Sequence, residues 1–132
     1  MFKFRARIGG KFVFGEEAAR LYYNNNSKSE FFHTSAVFML YSGMNDKNNT
    51  PIYDGDILKI ILDNGIEAKY ICRFGITQRE FNGNLLDISC FYFENILTGF
   101  HAFPIVHNYA GKHDLEMLEI IGNIFDNEDL LK

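Results

Sequence analysis

Short apolar runs separated by turn residues recur along this chain, and in places apolar and polar residues alternate with a period of two, the pattern of a half-buried β-strand. The N-terminus shows the pattern most clearly. A strand there places one set of side chains on one face and a cationic set on the other: Phe2, Phe4, Ala6 and Ile8 against Lys3, Arg5 and Arg7. Gly9-Gly10 can adopt positive backbone angles, so the chain is predicted to return over residues 11–14 as a β-hairpin.

The rest of the chain is predicted to be short strands separated by turn residues. Asn64-Gly65 predicts a hairpin between residues 56–62 and 66–74, because Asn-Gly between apolar runs is a strong hairpin signal. A turn at residues 82–84 predicts a second hairpin, between 76–81 and 85–93. Further strands are expected at residues 30–33, 36–41, 100–106 and 115–125. Helix is expected only at residues 16–23 and as one capped turn at 126–131.

These elements predict a mainly β fold. Many short strands with closely spaced turns are typical of a barrel or a sandwich. The chain has 132 residues, close to the usual length of one domain, and can bury a core without metal or disulfide support. A single domain is therefore expected.

Composition and charge limit the class of protein. The chain is 47% hydrophobic, with 14 Phe and 7 Tyr, and its net charge is -4. These values argue against intrinsic disorder and against a strongly basic nucleic-acid-binding module. The chain has only two cysteines, shows no secretory signal, and has no apolar run longer than residues 36–41. We expect a cytoplasmic protein with no membrane role.

Metal binding has weak support in the sequence. Asp54 and Asp56 flank a glycine, and carboxylates at this spacing can offer oxygen ligands to a hard cation. An Asp-Gly turn that enters a strand needs the same residue types for local N–H bonding, and we prefer this interpretation. His101, His107 and His113 recur every six residues, more widely than the ligands of local zinc sites. We expect no metal and no cofactor.

Nucleophilic and phosphate-binding chemistry is equally weakly supported. Cys72 and Cys90 lie in apolar strands, where a buried thiol is commoner than a nucleophile activated by histidine. Gly9-Gly10-Lys11 lacks the first glycine and the final hydroxyl residue of a phosphate-binding loop. Residues 11–14 match an RNA-recognition strand only in part, since the motif's glycine and its second aromatic cluster are missing. We expect no catalytic residue.

One charge feature stands out at the N-terminus. Residues 1–15 contain four cations, Lys3, Arg5, Arg7 and Lys11, and no acid. Such a face could contact phosphates or an acidic protein. Charged side chains on a solvated or edge strand also prevent edge-to-edge association, and this is the commoner explanation. These four residues form the predicted interaction surface.

The chain also resembles a known family. Four stretches carry the resemblance: KFRA at 3–6, YSGMNDKN at 41–48, IYDGDI at 52–57 and IGNIFDN at 121–127. Their order and spacing are similar to those of the YopX-like proteins carried by phages and prophages. This sequence departs from the family pattern at Arg7, where Trp is usual, at Asn49, where Gly is common, and at Asp129, where Pro is usual.

The resemblance implies a mainly β fold with a small Src-homology-3-like barrel, an N-terminal β-hairpin segment and one short C-terminal helical turn. It implies one YopX-like domain over residues 1–132, with an N-terminal β segment at 1–35 and a barrel core at 36–132. A prophage gene and a bacterial cytoplasm are implied as well. No catalytic residue is transferred, because the family has no assigned reaction.

We therefore expect a non-catalytic, prophage-encoded accessory protein that binds another macromolecule, with protein as the favoured partner. Nucleic-acid binding through the basic N-terminal strand is one alternative. A small metal-dependent hydrolase with dispersed Asp and His residues is a second, so enzymatic activity is disfavoured and left open. Exposed strand edges also make a homo-oligomer compatible with the sequence.

Overall fold

The computed structural model describes residues 4–20, 37–61, 64–103 and 117–131. Within these ranges the chain is mainly β, as predicted, with helical residues at 15–20 and a 3-10 turn at Glu128–Leu131. The predicted strand at residues 30–33 lies outside the described ranges. The strands are β1 Phe4–Ile8, β2 Lys11–Phe14, β3 Val37–Asn45, β4 Pro51–Tyr53, β5 Asp56–Ile61, β6 Glu67–Phe81, β7 Asn84–Asn95, β8 His101–Ala102 and β9 Glu119–Asn123.

The chain forms two compact units, residues 1–41 and 42–132, and β3 runs from the first into the second. In the first unit, β1 pairs with β2 in an antiparallel hairpin, as predicted. Gly9 and Gly10 have φ of 56° and 76°, the positive values that a two-residue turn requires. Because β1 also pairs with β3 on its other side, β1 is not an edge strand.

The second unit contains a five-stranded sheet in the order β8-β7-β6-β5-β9. All its neighbouring strands run antiparallel, and the sheet curls into a half-barrel. The hairpin predicted around Asn64-Gly65 is confirmed as β5 and β6, with Leu58 opposite Tyr70. The mainly β fold class is therefore confirmed.

Strand β6 differs from the prediction because it is one continuous strand. The sequence predicted that one strand ends and another begins at Gly75. In the structure Gly75 pairs with Cys90 inside the ladder, and its φ is not positive. A glycine with strand-like backbone angles does not end a strand. The turn that follows is also shorter than predicted, because only Asn82 and Gly83 connect β6 to β7, both with positive φ.

One cluster of buried side chains in the second unit joins residues that are far apart in the sequence. Its members are Ile52, Leu58, Ile60, Cys72, Phe93 and Leu118. Leu58 and Cys72 lie on the central strands β5 and β6, while Leu118 immediately precedes β9. Burial of each large aliphatic side chain contributes about 1.5–3 kcal/mol, so β9 is held to the sheet by packing as well as by pairing.

Asp46 connects the turn between β3 and β4 to β9. Its side chain is buried, and Oδ1 accepts hydrogen bonds of 2.9 Å from the backbone N–H groups of Asn48 and Thr50. Oδ2 accepts a bond of 3.0 Å from the N–H of Ile120, while the N–H of Lys47 donates to the carbonyl of Leu118 at 2.8 Å. The carboxylate thus joins segments 74 residues apart.

A close approach of two residues shapes the chain after β9. The Asn127 side chain lies against the Cα of Gly122, and Asn127 Oδ1 accepts a 3.1 Å hydrogen bond from the N–H of Asn123. A Cβ at position 122 would lie only 2.5 Å from that oxygen and 2.6 Å from Asn127 Cγ. Glycine is therefore required at position 122 by the packing of Asn127.

We expect Asp46→Ala to destabilise the protein by about 2–4 kcal/mol, because three backbone N–H groups lose a charged acceptor. Asp87→Ala is the matched control, since Asp87 is exposed on β7 and should change stability by no more than about 0.5 kcal/mol. Urea unfolding measures both. Equal unfolding midpoints for the two variants would show that the Asp46 carboxylate does not hold this turn.

We expect Gly122→Ala to cost about 1–3 kcal/mol, because the added methyl group overlaps the Asn127 side chain. The cost should shrink when the same change is made in an Asn127→Ala background, since the overlapping atoms are gone. Gly75→Ala provides the control: its Cβ would lie 3.8 Å from Tyr92 Oη, an ordinary contact. Thermal unfolding of the four proteins and the wild type tests this, and an additive double variant would contradict it.

Candidate functional site

The predicted N-terminal interaction surface is only partly exposed. Lys3 lies outside the described residues, and Lys11 is exposed at the start of β2. Arg5 is only 6% exposed, and its guanidinium carbon lies 4.3 Å from the centre of the Phe12 ring. The guanidinium carbon of Arg7 lies 4.6 Å from the same ring. Arg5 therefore packs against an aromatic ring, and the surface formed by these four cations stays a prediction.

Both aspartates of the Asp-Gly-Asp turn contact backbone groups. Asp56 is buried, and its Oδ2 accepts a 2.8 Å hydrogen bond from the N–H of Tyr53. Asp54 Oδ1 accepts a 3.2 Å bond from the N–H of Phe74. The Asp56 contact is the local kind expected of a turn carboxylate, whereas Asp54 bonds to strand β6, 20 residues further along the chain. In the described part of the chain, no three His, Cys, Asp or Glu side chains are grouped as metal ligands.

The remaining sequence candidates lie in different surroundings. Cys72 is fully buried in the core, Cys90 is half-buried on β7, and neither forms a disulfide. His107 and His113 fall outside the described residues. His101, the third histidine of that series, is described and lies on β8. It lines a groove that the sequence does not reveal.

The groove forms where the far half of the β6–β7 hairpin approaches β8. We call residues 76–89 the arm. The groove has a volume of about 830 Å³ and is lined by two segments, residues 76–79 of the arm and residues 100–103: Ile76, Thr77, Gln78, Arg79, Phe100, His101, Ala102 and Phe103. This volume lies within the range typical of ligand-binding clefts, about 300–1,000 Å³.

Thr77 and His101 join the two sides of the groove. Thr77 is buried, and its Oγ1 lies 2.9 Å from His101 Nδ1, a hydrogen bond whose direction depends on the tautomer of the ring. The imidazole also stacks on Tyr92, with ring centres 4.1 Å apart and an interplanar angle of 25°. His101 is therefore held on two sides by neighbouring side chains.

Arg79 provides the positive charge of the groove. Its guanidinium carbon lies 4.2 Å from the centre of the Phe103 ring, a cation–π contact that orients the planar group. Of the five lysine and arginine side chains described in the second unit, Lys47, Lys59, Lys69 and Arg73 each have a carboxylate within 4.0 Å. Arg79 has no such partner among the described residues.

The groove continues onto an exposed apolar face of the arm. Residues directly opposite each other in a ladder share a face, and alternate residues of a strand share a face. Phe81 therefore lies on the same face as Thr77 and Arg79, and Leu86, which pairs with Arg79, lies there too. Phe81 is 65% exposed and Leu86 43%. Leu85, 70% exposed, lies on the opposite face of the arm.

This arrangement can bind an elongated ligand that carries apolar groups and an acceptor of hydrogen bonds. Aromatic walls and a few oriented polar groups are typical of binding clefts. The sequence suggested His101 as a metal ligand or as a base for a cysteine nucleophile, and it did not point to Arg79 or Phe81. One signal was available: Phe81 and Leu85-Leu86 border the Asn82-Gly83 turn, whereas hairpin ends are ordinarily polar.

Comparison with known proteins identifies the family. Within the described residues, no helix is both long and apolar enough to cross a membrane. Among curated proteins, none matches this chain. The family model described as YopX protein matches residues 14–132, which includes three of the four stretches that suggested the resemblance and leaves out the one at residues 3–6. Because this match covers most of the chain, the protein belongs to the YopX family.

Proposed function

We propose that this YopX family member is a non-catalytic, prophage-encoded accessory protein of the bacterial cytoplasm, and that it acts by binding another protein. The binding site is the groove together with the apolar face of the arm beside it. The partner presents an extended segment with apolar side chains. The arm contributes little to the core, and this proposal gives it a role in binding.

The observation that carries the proposal is the exposure of the arm. Thr77 is its only buried side chain, and Phe81 and Leu86 project from the same face as the groove. Single exposed apolar residues are normal on protein surfaces, but apolar side chains that adjoin an aromatic-walled groove are typical of interaction sites. Aromatic residues near the centre of such sites supply much of the binding energy.

The charges favour a protein partner over a nucleic acid. The chain has a net charge of -4, which opposes long-range attraction to a polyanion. On the arm, Arg79 is accompanied by two acidic residues, Glu80 and Asp87. A surface that follows a phosphate backbone uses several cations, whereas one cation beside apolar side chains suits a peptide segment.

Selection of random displayed peptides on the wild-type protein tests the proposal. We expect the selected peptides to bind about tenfold or more weakly to Phe81→Ser, because an aromatic anchor is lost. Leu85→Ser is the matched control: it removes a similarly exposed apolar residue from the opposite face of the same arm and should leave affinity within about twofold. Fluorescence anisotropy with purified peptides measures both.

Two results would contradict the proposal. The first is a library that yields no peptide whose binding depends on Phe81. The second is micromolar binding of a labelled duplex or single-stranded oligonucleotide near physiological salt, with an affinity that falls steeply as salt rises and is lost in Arg7→Glu/Lys11→Glu. That second result would support the nucleic-acid alternative. The variant leaves Arg5 unchanged because this side chain is buried.

A further inference from the structure

We propose that the groove recognises a carboxylate group of the bound protein, and that Arg79 is the residue that determines this specificity. The inference rests on the proposed function and adds the chemistry of the ligand to it. The carboxylate belongs to an acidic side chain or a chain end that lies next to an apolar residue. The groove itself supplies the reasons.

The first reason is the state of Arg79. Ion pairs within the second unit involve its other described cations, while Arg79 lies on the Phe103 ring with no acidic partner among the described residues. Stacking occupies the face of a guanidinium and leaves its N–H groups, which lie at the edge, free to bond in the plane. Two of these donors match the two oxygens of a carboxylate.

The second reason is the pair formed by Thr77 and His101. When His101 Nδ1 accepts the bond from the Thr77 hydroxyl, the neutral ring carries a proton on Nε2 and can donate it. When Nδ1 donates instead, the Thr77 hydroxyl retains its own proton to donate. In either tautomer the pair keeps one donor beyond their mutual bond of 2.9 Å, which suits an acceptor such as a carboxylate oxygen.

The third reason is the composition of the lining. The described residues that line the groove include one arginine, one histidine and two phenylalanines, and none of them carries a carboxylate, although acidic residues outnumber basic ones in the chain. Charge complementarity therefore selects an anion. Phe100 and Phe103 provide the apolar surface, so an anion attached to an aromatic or aliphatic group fits better than a free ion.

Two small probes of equal shape test the inference. Phenylpropionate carries a carboxylate, and phenylpropionamide is its uncharged analogue. Titration into the isotopically labelled protein at constant ionic strength is followed by amide chemical shifts. We expect phenylpropionate at millimolar concentrations to shift residues 76–79 and 100–103, and to bind about tenfold or more tightly than the amide.

Three variants separate charge from fold. Arg79→Gln should remove the preference for the carboxylate probe and leave the weak amide binding unchanged. Arg79→Lys should restore it only in part, because a lysine lacks the planar pair of donors. Lys69→Gln is the control, since it changes the net charge equally at a partly exposed residue outside the groove lining, and it should behave as the wild type.

Several outcomes would overturn the inference. They are equal binding of the two probes, shifts confined to other residues, no shift with either probe, or an unchanged preference in Arg79→Gln. Tighter Arg79-dependent binding of a mononucleotide than of phenylpropionate would assign the groove to phosphate and also overturn it. Peptides that still depend on Phe81 while the probes fail would leave the proposed function intact. Loss of that dependence while the probe preference persists would remove the protein partner and leave only carboxylate binding by the groove.

Discussion

The second unit depends on one buried carboxylate that accepts hydrogen bonds from backbone N–H groups. Asp46 closes the turn between β3 and β4 and also accepts the N–H of Ile120 at the start of β9. Buried backbone donors are costly when unpaired, so this side chain fixes both segments together. Lys47 and Lys59 add ion pairs of 3.6 Å to Glu119 on the same strand. The order of the sheet at its β9 edge follows from these contacts.

The structure on the side of the sheet away from β9 depends on the continuity of β6 through Gly75. Since the strand does not break there, its far half and that of β7 extend as an arm with little burial. The curl of the sheet then places Thr77 against His101 although β7 lies between their strands. The groove therefore has two causes. The hairpin of β6 and β7 extends beyond the core, and the curl of the sheet brings this extension against β8.

The distribution of charge gives the groove its chemical character. Four of the five described cations of the second unit form ion pairs with carboxylates, and two of these pairs, Lys59–Glu119 and Arg73–Glu94, join neighbouring strands, as is ordinary on a solvated sheet surface. Arg79 is held instead by an aromatic ring, and the exposed side chains of Phe81 and Leu86, on the same face of the arm, are apolar. A binding role for a positive and apolar surface is compatible with the negative net charge of the whole chain.

The sequence by itself determined the mainly β fold, the hairpin turns and the family, because glycine, asparagine and alternating side chains act on the local backbone. It also placed a turn at Asp54-Gly55, where the chain passes from β4 to β5. The burial of Arg5, the continuity of β6 and the groove were decided by tertiary structure. A period of two assigns each side chain to a face of its strand, yet contains no information about how far the sheet curls. Thr77 and His101 are 24 residues apart, and only packing of the whole sheet brings such residues into contact.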